Sequence, residues 1–267
     1  MLSVVIELRP EERITLPSYT GRMAHAWFLG WVRQTDPERA HRLHAIHQVK
    51  PFTVSGLTGG TRHGSTCEFR PGDICWLRIT ALEDEFAGWL AERLADTLPP
   101  LVTLQQCTFQ VGRVLTHPDA HTWAGEASYR ELVQHYLDSP GVPSTIRLFF
   151  ASPTTFRVRG RNVPLPLPDL VFGSLADRWH AFAPIALDDA IRAVIAEQVV
   201  VSRYELRTQA VPIRHGYQIG FTGRCEFTVL AKNPYWRRVC HLLAAFAFYS
   251  GVGYKTPQGL GQTRRYG

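Results

Sequence analysis

The chain has 267 residues, 45% of them hydrophobic and 19% charged, which excludes a disordered or fibrous protein and allows one large domain or two of ordinary size. The 29 Lys and Arg outnumber the 23 Asp and Glu, and the resulting charge of +6 suits a polyanionic partner without demanding one. No apolar run approaches a bilayer span and Glu7 interrupts the one stretch like a signal peptide, so no membrane partner and a cytoplasmic location are expected.

Val4, Ile6 and Leu8 alternate in a first strand at about 2–9. A helix over roughly 19–34 follows, then a second opened by Asp36 as cap and Pro37 in its first turn. K-P-F-T-V-S-G-L reads as the second strand and D-I-C-W-L-R-I-T-A-L as the third. E-D-E-F-A-G-W-L-A-E-R-L is an amphipathic helix with acidic residues at its positive end, and L-V-T-L-Q-Q-C-T-F-Q-V is the closing strand. Ser128 and Glu131 form a capping box for a short helix at about 129–137. D-S-P-G-V-P-S, 138–144, has the composition of a linker.

The series then begins again. Ile146, Leu148 and Phe150 alternate in a strand, helical material occupies about 168–197, and strands fall near 198–208 and 217–230. Asn233-Pro234 caps a helix at 234–249, where Val239, Leu242, Leu243 and Phe246 recur at helical spacing. A glycine ribbon and a terminal strand end the chain. The order β-α-β-β-α-β appears twice, so the expected fold is α+β, with two tandem ferredoxin-like (RRM-like) domains at 1–140 and 141–267.

The ribbon, G-V-G-Y-K-T-P-Q-G-L-G, follows a helix, which rules out a dinucleotide fingerprint, and Tyr254 stands where a Walker loop needs glycine before Lys255. In F-R-V-R-G-R, an extended segment would project Arg157, Arg159 and Arg161 from one face and Phe156 and Val158 from the other. That pattern suits phosphate binding and equally a charge-guarded edge strand. The tryptophans at 27, 31, 76 and 89 read as core, and no RRM aromatic signature is present. Five scattered cysteines without C-x-x-C support neither disulfides nor a zinc knuckle; Cys75, Cys107 and Cys225 read as core fillers.

Histidines stand at 41, 44 and 47, and an apolar helical stripe through Ala40 and Leu43 leans His47 inward and His44 to its edge. H-x-x-H-x-x-H spacing, like that of His117 and His121, also suits a metal. The first set lacks an acidic ligand and Pro118-Asp119 makes the second loop-like, so no metal and no cofactor are expected.

D-P-E-R-A-H-R-L-H with K-P-F-T-V-S-G-L, F-A-S-P-T-T-F-R and the terminal glycine ribbon, taken in this order, resemble the CRISPR-associated endoribonucleases of the RAMP superfamily, over almost the whole chain. The resemblance implies metal-independent cleavage of precursor CRISPR RNA within its repeats. The RNA's 2′-hydroxyl attacks phosphorus, the 5′-oxygen leaves as a hydroxyl, and a 2′,3′-cyclic phosphate remains. It implies His44 as general acid or base, with His47 as substitute, and Lys50 as the charge beside the phosphorane. Lys50, Lys232 and Lys255 are the only lysines in the chain. Gly251, Gly253, Lys255, Gly259 and Gly261 would bind RNA through the ribbon, with Arg157 and Arg159 on its backbone. Some relatives place a tyrosine in the first helix where this chain has Leu29, with Tyr19 and His25 nearby but out of register. A non-catalytic RNA-binding subunit of an effector complex is the alternative. Effector subunits and a second copy of the chain are further candidate partners.

Overall fold

A computed structural model describes residues 1–46, 49–213 and 216–267, and these form two compact units. The first comprises Met1–Glu126 together with Pro257–Gly259. In chain order it holds β1 (Leu2–Pro10), β2 (Ile14–Pro17), α1 (Gly21–Thr35), α2 (Pro37–Ala45), β3 (Phe52–Val54), β4 (Thr61–His63), β5 (Thr66–Phe69), β6 (Cys75–Ala81), α3 (Asp84–Asp96), β7 (Leu101–Leu104), β8 (Cys107–Leu115) and β9 (Gly125–Glu126).

Its main sheet runs β3-β6-β1-β8-β7 with every pairing antiparallel, and β9 pairs with the start of β1. Counting β1, β3, β6 and β8 as the four strands of the repeat, the spatial order is second, third, first, fourth, which is ferredoxin-like. The alternation of Val4, Ile6 and Leu8 accounts for one face of β1; Ser3 and Val5 are buried as well, on the other. Ser3 Oγ donates to Trp123 O at 2.6 Å, and the buried Arg78 donates from Nε to the same carbonyl at 3.0 Å.

Helix α1 presents Ala24, Phe28, Trp31 and Val32 to the core, where Phe28 meets Phe52 of β3 at 5.1 Å between ring centroids. Deleting one such ring from a packed core costs about 3–5 kcal/mol. Asp36 ends α1 and opens α2, its carboxylate accepting from Arg39 N at 2.8 Å.

The second unit comprises Ala127–Thr256 and Leu260–Gly267. It holds α4 (Tyr129–Leu137), β10 (Thr145–Thr154), β11 (Phe156–Val158), β12 (Arg161–Val163), α5 (Pro168–Phe182), α6 (Ile191–Gln198), β13 (Val199–Pro212), β14 (Tyr217–Val229), α7 (Pro234–Ser250) and β15 (Thr263–Arg265). The sheet order β13-β14-β10-β15 repeats the ferredoxin-like arrangement. Both halves of the Ser128–Glu131 capping box are formed, and α4 packs on α7. His241 of α7 is buried, with Nε2 2.8 Å from Pro143 O and Nδ1 3.2 Å from an Arg265 guanidinium nitrogen. Since the guanidinium only donates, Nδ1 accepts and Nε2 carries the proton.

Two expectations about strands are corrected. The closing strand over 101–111 is a hairpin, β7 to β8, turned at Gln105 with φ 59°, a conformation for which its sequence carries no glycine or asparagine signal. F-R-V-R-G-R is likewise a hairpin, with Arg159 (φ 46°) and Gly160 at its tip. Arg157 pairs across it with Asn162 and Val158 with Arg161, so Arg157 and Arg161 lie on opposite faces and the expected single arginine face does not form. A third sheet, β2-β5-β4, was not anticipated. Cys75 and Cys225 are buried as core fillers, burial pushing each thiol up to about 12, whereas Cys107 is only half-buried.

Candidate active site

The α1–α2 hairpin sets the first wall of the site. With Leu43 facing the core, the helical period of α2 turns His41 and His44 to its exposed side. Both line an open groove of about 510 Å³ with Ala26, Leu29, Gly30, Arg33, Pro37 and Ala40. Leu29 gives this groove an apolar side chain. His47, the alternative imidazole, lies outside the described residues.

Lys50 returns to the end of the helix that carries His44. Its ammonium donates to Leu43 O, and to His44 O at 3.3 Å. These carbonyls belong to the last turn of α2, where backbone acceptors lack helical partners and the helix dipole is negative. Lys50 is half-buried, and that burial pushes its ammonium below the usual lysine range. The cation therefore fixes the C-terminal end of α2 beside His44.

The tip of the glycine ribbon completes this unit. Tyr19 donates its hydroxyl to Gln258 O, and burial raises its ionisation above the ordinary phenol value. His25, projecting from α1, places Nδ1 2.9 Å from Pro257 O and stacks on Phe52 at 5.9 Å and 17°. Burial holds the His25 imidazole below its ordinary range against the opposing hydrogen bond to Pro257, with the charges of Lys50 and His44 adding to the lowering. Close packing requires glycine on both sides: a methyl group at Gly21 would lie 2.0 Å from Gln258 O, and one at Gly259 would lie 2.9 Å from both Gly21 Cα and Gly56 N.

The remaining glycines of the ribbon are buried in the second unit. Gly251 N donates to Ala247 O at 3.0 Å, Gly253 N to Ser174 Oγ at 3.3 Å and Gly261 N to Pro153 O at 3.1 Å. Buried Arg178 clasps the ribbon by donating to Gly253 O, and desolvation lowers its guanidinium to about 10. The amides of Gly251, Gly253 and Gly261 are therefore engaged inside the protein; the exposed part of the ribbon begins at Tyr254 and Lys255, whose ammonium lies 5.4 Å from the Tyr254 ring centre. Arg157 and Arg159 are exposed on the β11–β12 hairpin, Arg157 donating to Asn162 Oδ1 at 3.2 Å.

Of the residues expected to act, Lys50 contacts the backbone of His44; His25, Tyr19, Pro257 and Gln258 meet in the same unit and were given no role from the sequence, whereas Gly259 beside them was. The available signal was faint: a histidine one helical turn before Leu29, four positions after a glycine. Among the described residues no group of three or more His, Cys, Asp or Glu converges as a metal site, and no helix is long and apolar enough to cross a membrane. His121 Nδ1 instead accepts from Trp123 N at 3.1 Å.

Two ferredoxin-like domains, a histidine–lysine pair on the first and a packed glycine ribbon define a protein of the RAMP class. Residues 1–134 match the CRISPR Cas6 N-terminal domain, and residues 148–263 match the CRISPR-associated endoribonuclease Cas6. The chain belongs to the Cas6 family. It is similar to the Cas6 endoribonuclease of Mycobacterium tuberculosis, 31% identical over 119 residues, which are 44% of this chain and 38% of that one. With the Cas6 of Streptococcus thermophilus it shares 26% over 117 residues, 43% of this chain and 47% of that one. The chain thus spans less than half the length of these two relatives. Among solved structures it resembles the Thermus thermophilus Cas6 product complex, with a TM-score of 0.82, 30% identity and 99% of each chain covered. A Cas6 substrate mimic complex aligns with a TM-score of 0.76 and 29% identity, over 99% of this chain and 98% of that one.

Proposed function

We propose that the chain is an endoribonuclease that cuts precursor CRISPR RNA within its repeats, without a metal, leaving a 2′,3′-cyclic phosphate and a 5′-hydroxyl. The observation that carries this reading is the tie between Lys50 and the end of α2, which holds a cation at the main-chain carbonyl of His44, a residue that is itself exposed. In-line attack by a 2′-hydroxyl needs a proton transferred at each end and positive charge beside the phosphorane. His44 transfers a proton and Lys50 supplies the compact charge. The similar Cas6 proteins captured with product and with a substrate mimic support the same reading. Lys255, Arg157 and Arg159 hold RNA phosphates, while the buried glycines shape the ribbon rather than touch RNA.

The test is to incubate the protein with the repeat RNA of its neighbouring array in excess EDTA and map both product ends. One cut with the stated termini is expected. His44→Ala should lower the single-turnover rate by at least about 10²-fold while leaving RNA affinity nearly unchanged. Cleavage that survives this substitution rejects the role of His44. Binding without any cleavage by the unsubstituted chain would instead make it a non-catalytic RNA-binding subunit.

A further inference from the structure

We infer that the outer edge of β13 pairs antiparallel with the same edge of a second copy of the chain, about a twofold axis at Leu206. The inference is independent of the endoribonuclease reading. β13 ends its sheet, hydrogen-bonded to β14 alone among the described strands, and runs for 14 residues. An edge of that length is a template for another strand, and proteins ordinarily blunt such edges with proline, bulges or repelling charges. In β13 the proline is the last residue, Pro212, and the bulge falls between Val201 and Arg203. Residues 203–212 therefore run in unbroken register with β14, and most of them are exposed.

The charges on this edge are self-complementary in one register. Directly opposed residues of paired strands share a face, so the twofold axis must pass through a residue and set its two chain neighbours opposite each other. An axis at Glu205 would oppose Glu205 to itself and Arg203 to Arg207; one at Arg207 would oppose Arg207 to itself. An axis at Tyr204 sets Arg203 opposite Glu205 but meets the bulge two residues out. The axis at Leu206 sets Glu205 opposite Arg207 twice, Arg203 opposite Gln209, Tyr204 opposite Thr208 and Leu206 opposite itself, all within the regular stretch. Within each chain Glu205 already faces Arg224 of β14. Arg224, Glu205 and the Arg207 of the second copy would thus alternate in sign across the junction.

The opposite face of the same residues is apolar. Tyr204, Leu206 and Thr208 line a groove of about 300 Å³ with Leu165 and Leu167, from the segment before α5. Tyr204 is 67% exposed, Leu165 54% and Leu167 43%, a cluster of large apolar side chains open to water. Pairing at Leu206 places the two grooves side by side and covers this patch. The chain supplies both the complementary charges and the complementary apolar face, so the second copy is the occupant.

Sedimentation velocity of the full chain, freed of RNA, should show a dimer that grows with concentration between about 1 and 100 µM, as expected of a small interface. Arg207→Glu and Glu205→Arg should each weaken self-association by at least about tenfold, since each opposes like charges twice. Mixing the two variants should restore the dimer, because they then carry opposite charges at both positions. Leu206→Cys should form a disulfide-linked dimer on mild oxidation, and Tyr204→Cys should cross-link to Thr208→Cys when the two are mixed but not to itself. A chain that stays monomeric over this range overturns the inference, as does a dimer lost when RNA is removed. A dimer indifferent to both charge reversals lies elsewhere on the molecule and overturns it equally. Should a charge variant not fold, the cysteine variants carry the test: Leu206→Cys no more cross-linked than the unsubstituted chain rejects the register. RNA cleavage is not read in any arm, so failure here leaves the enzymatic reading untouched.

Discussion

Lys50 stands six residues beyond His44, yet its ammonium returns to the carbonyls of Leu43 and His44. The side chain closes a helix end, and the proposed mechanism asks it also to place charge near the reacting phosphate. Lys50→Ala should lower folding stability by about 1 kcal/mol through the lost helix-end contact. It should slow cleavage by about 10²-fold, the loss typical of one electrostatic stabiliser. Chemical denaturation beside single-turnover kinetics separates the two, and a stability loss with an unchanged rate would leave Lys50 a helix cap alone. His44 and Lys50 were singled out through the resemblance, and their contact is local, one helix end and the turn after it. The tie of His25 to the ribbon was not legible, because the carbonyl it meets belongs to a residue 232 positions away. The arginine hairpin was misread for another local reason: Arg159 adopts a positive φ that its side chain does not advertise.

Among the elements, the glycine ribbon was recognisable by composition, but its purpose was not. The resemblance implied that its glycines bind RNA; the structure shows backbone packed on backbone, with Gly259 at φ 85° against Gly21 and Gly56. Gly259→Ala should displace the ribbon tip, because a methyl group there meets main-chain atoms that have no rotamer to change. Cleavage should fall by at least about tenfold, since misplacement of this order at a supporting position costs up to about 10². Far-UV circular dichroism should stay unchanged, and full activity in this variant would show that the tip does not support the site. Helices and paired central strands were legible because caps and apolar periods mark them, as in α4 with its complete capping box. The β2-β5-β4 sheet was not, since β4 is exposed throughout and offers no alternation to read.

Over the whole molecule, acid should be the destabilising direction. His25 in one unit and His241 in the other are both held by burial below the ordinary imidazole value of 6.5. As pH falls through that value the unfolded chain takes up protons that the folded chain refuses, so stability present above it is lost until the folded pKa is reached. Glu7, held below the usual carboxylate range by its hydrogen bonds to Arg113, adds a loss in the same direction at lower pH. The denaturation midpoint should therefore be lower at about pH 5 than at about pH 7, and His241→Gln should narrow the difference. A midpoint that rises on acidification would contradict the neutral assignment of these rings. The recruitment of Pro257–Gly259 into the first unit also has a meaning for synthesis. On the ribosome, residues 1–126 emerge well before the carbonyl that orients His25 is translated, and at about 5–20 residues per second the delay lasts several seconds. A half-made chain thus carries His25 before the contact that fixes its ring can form.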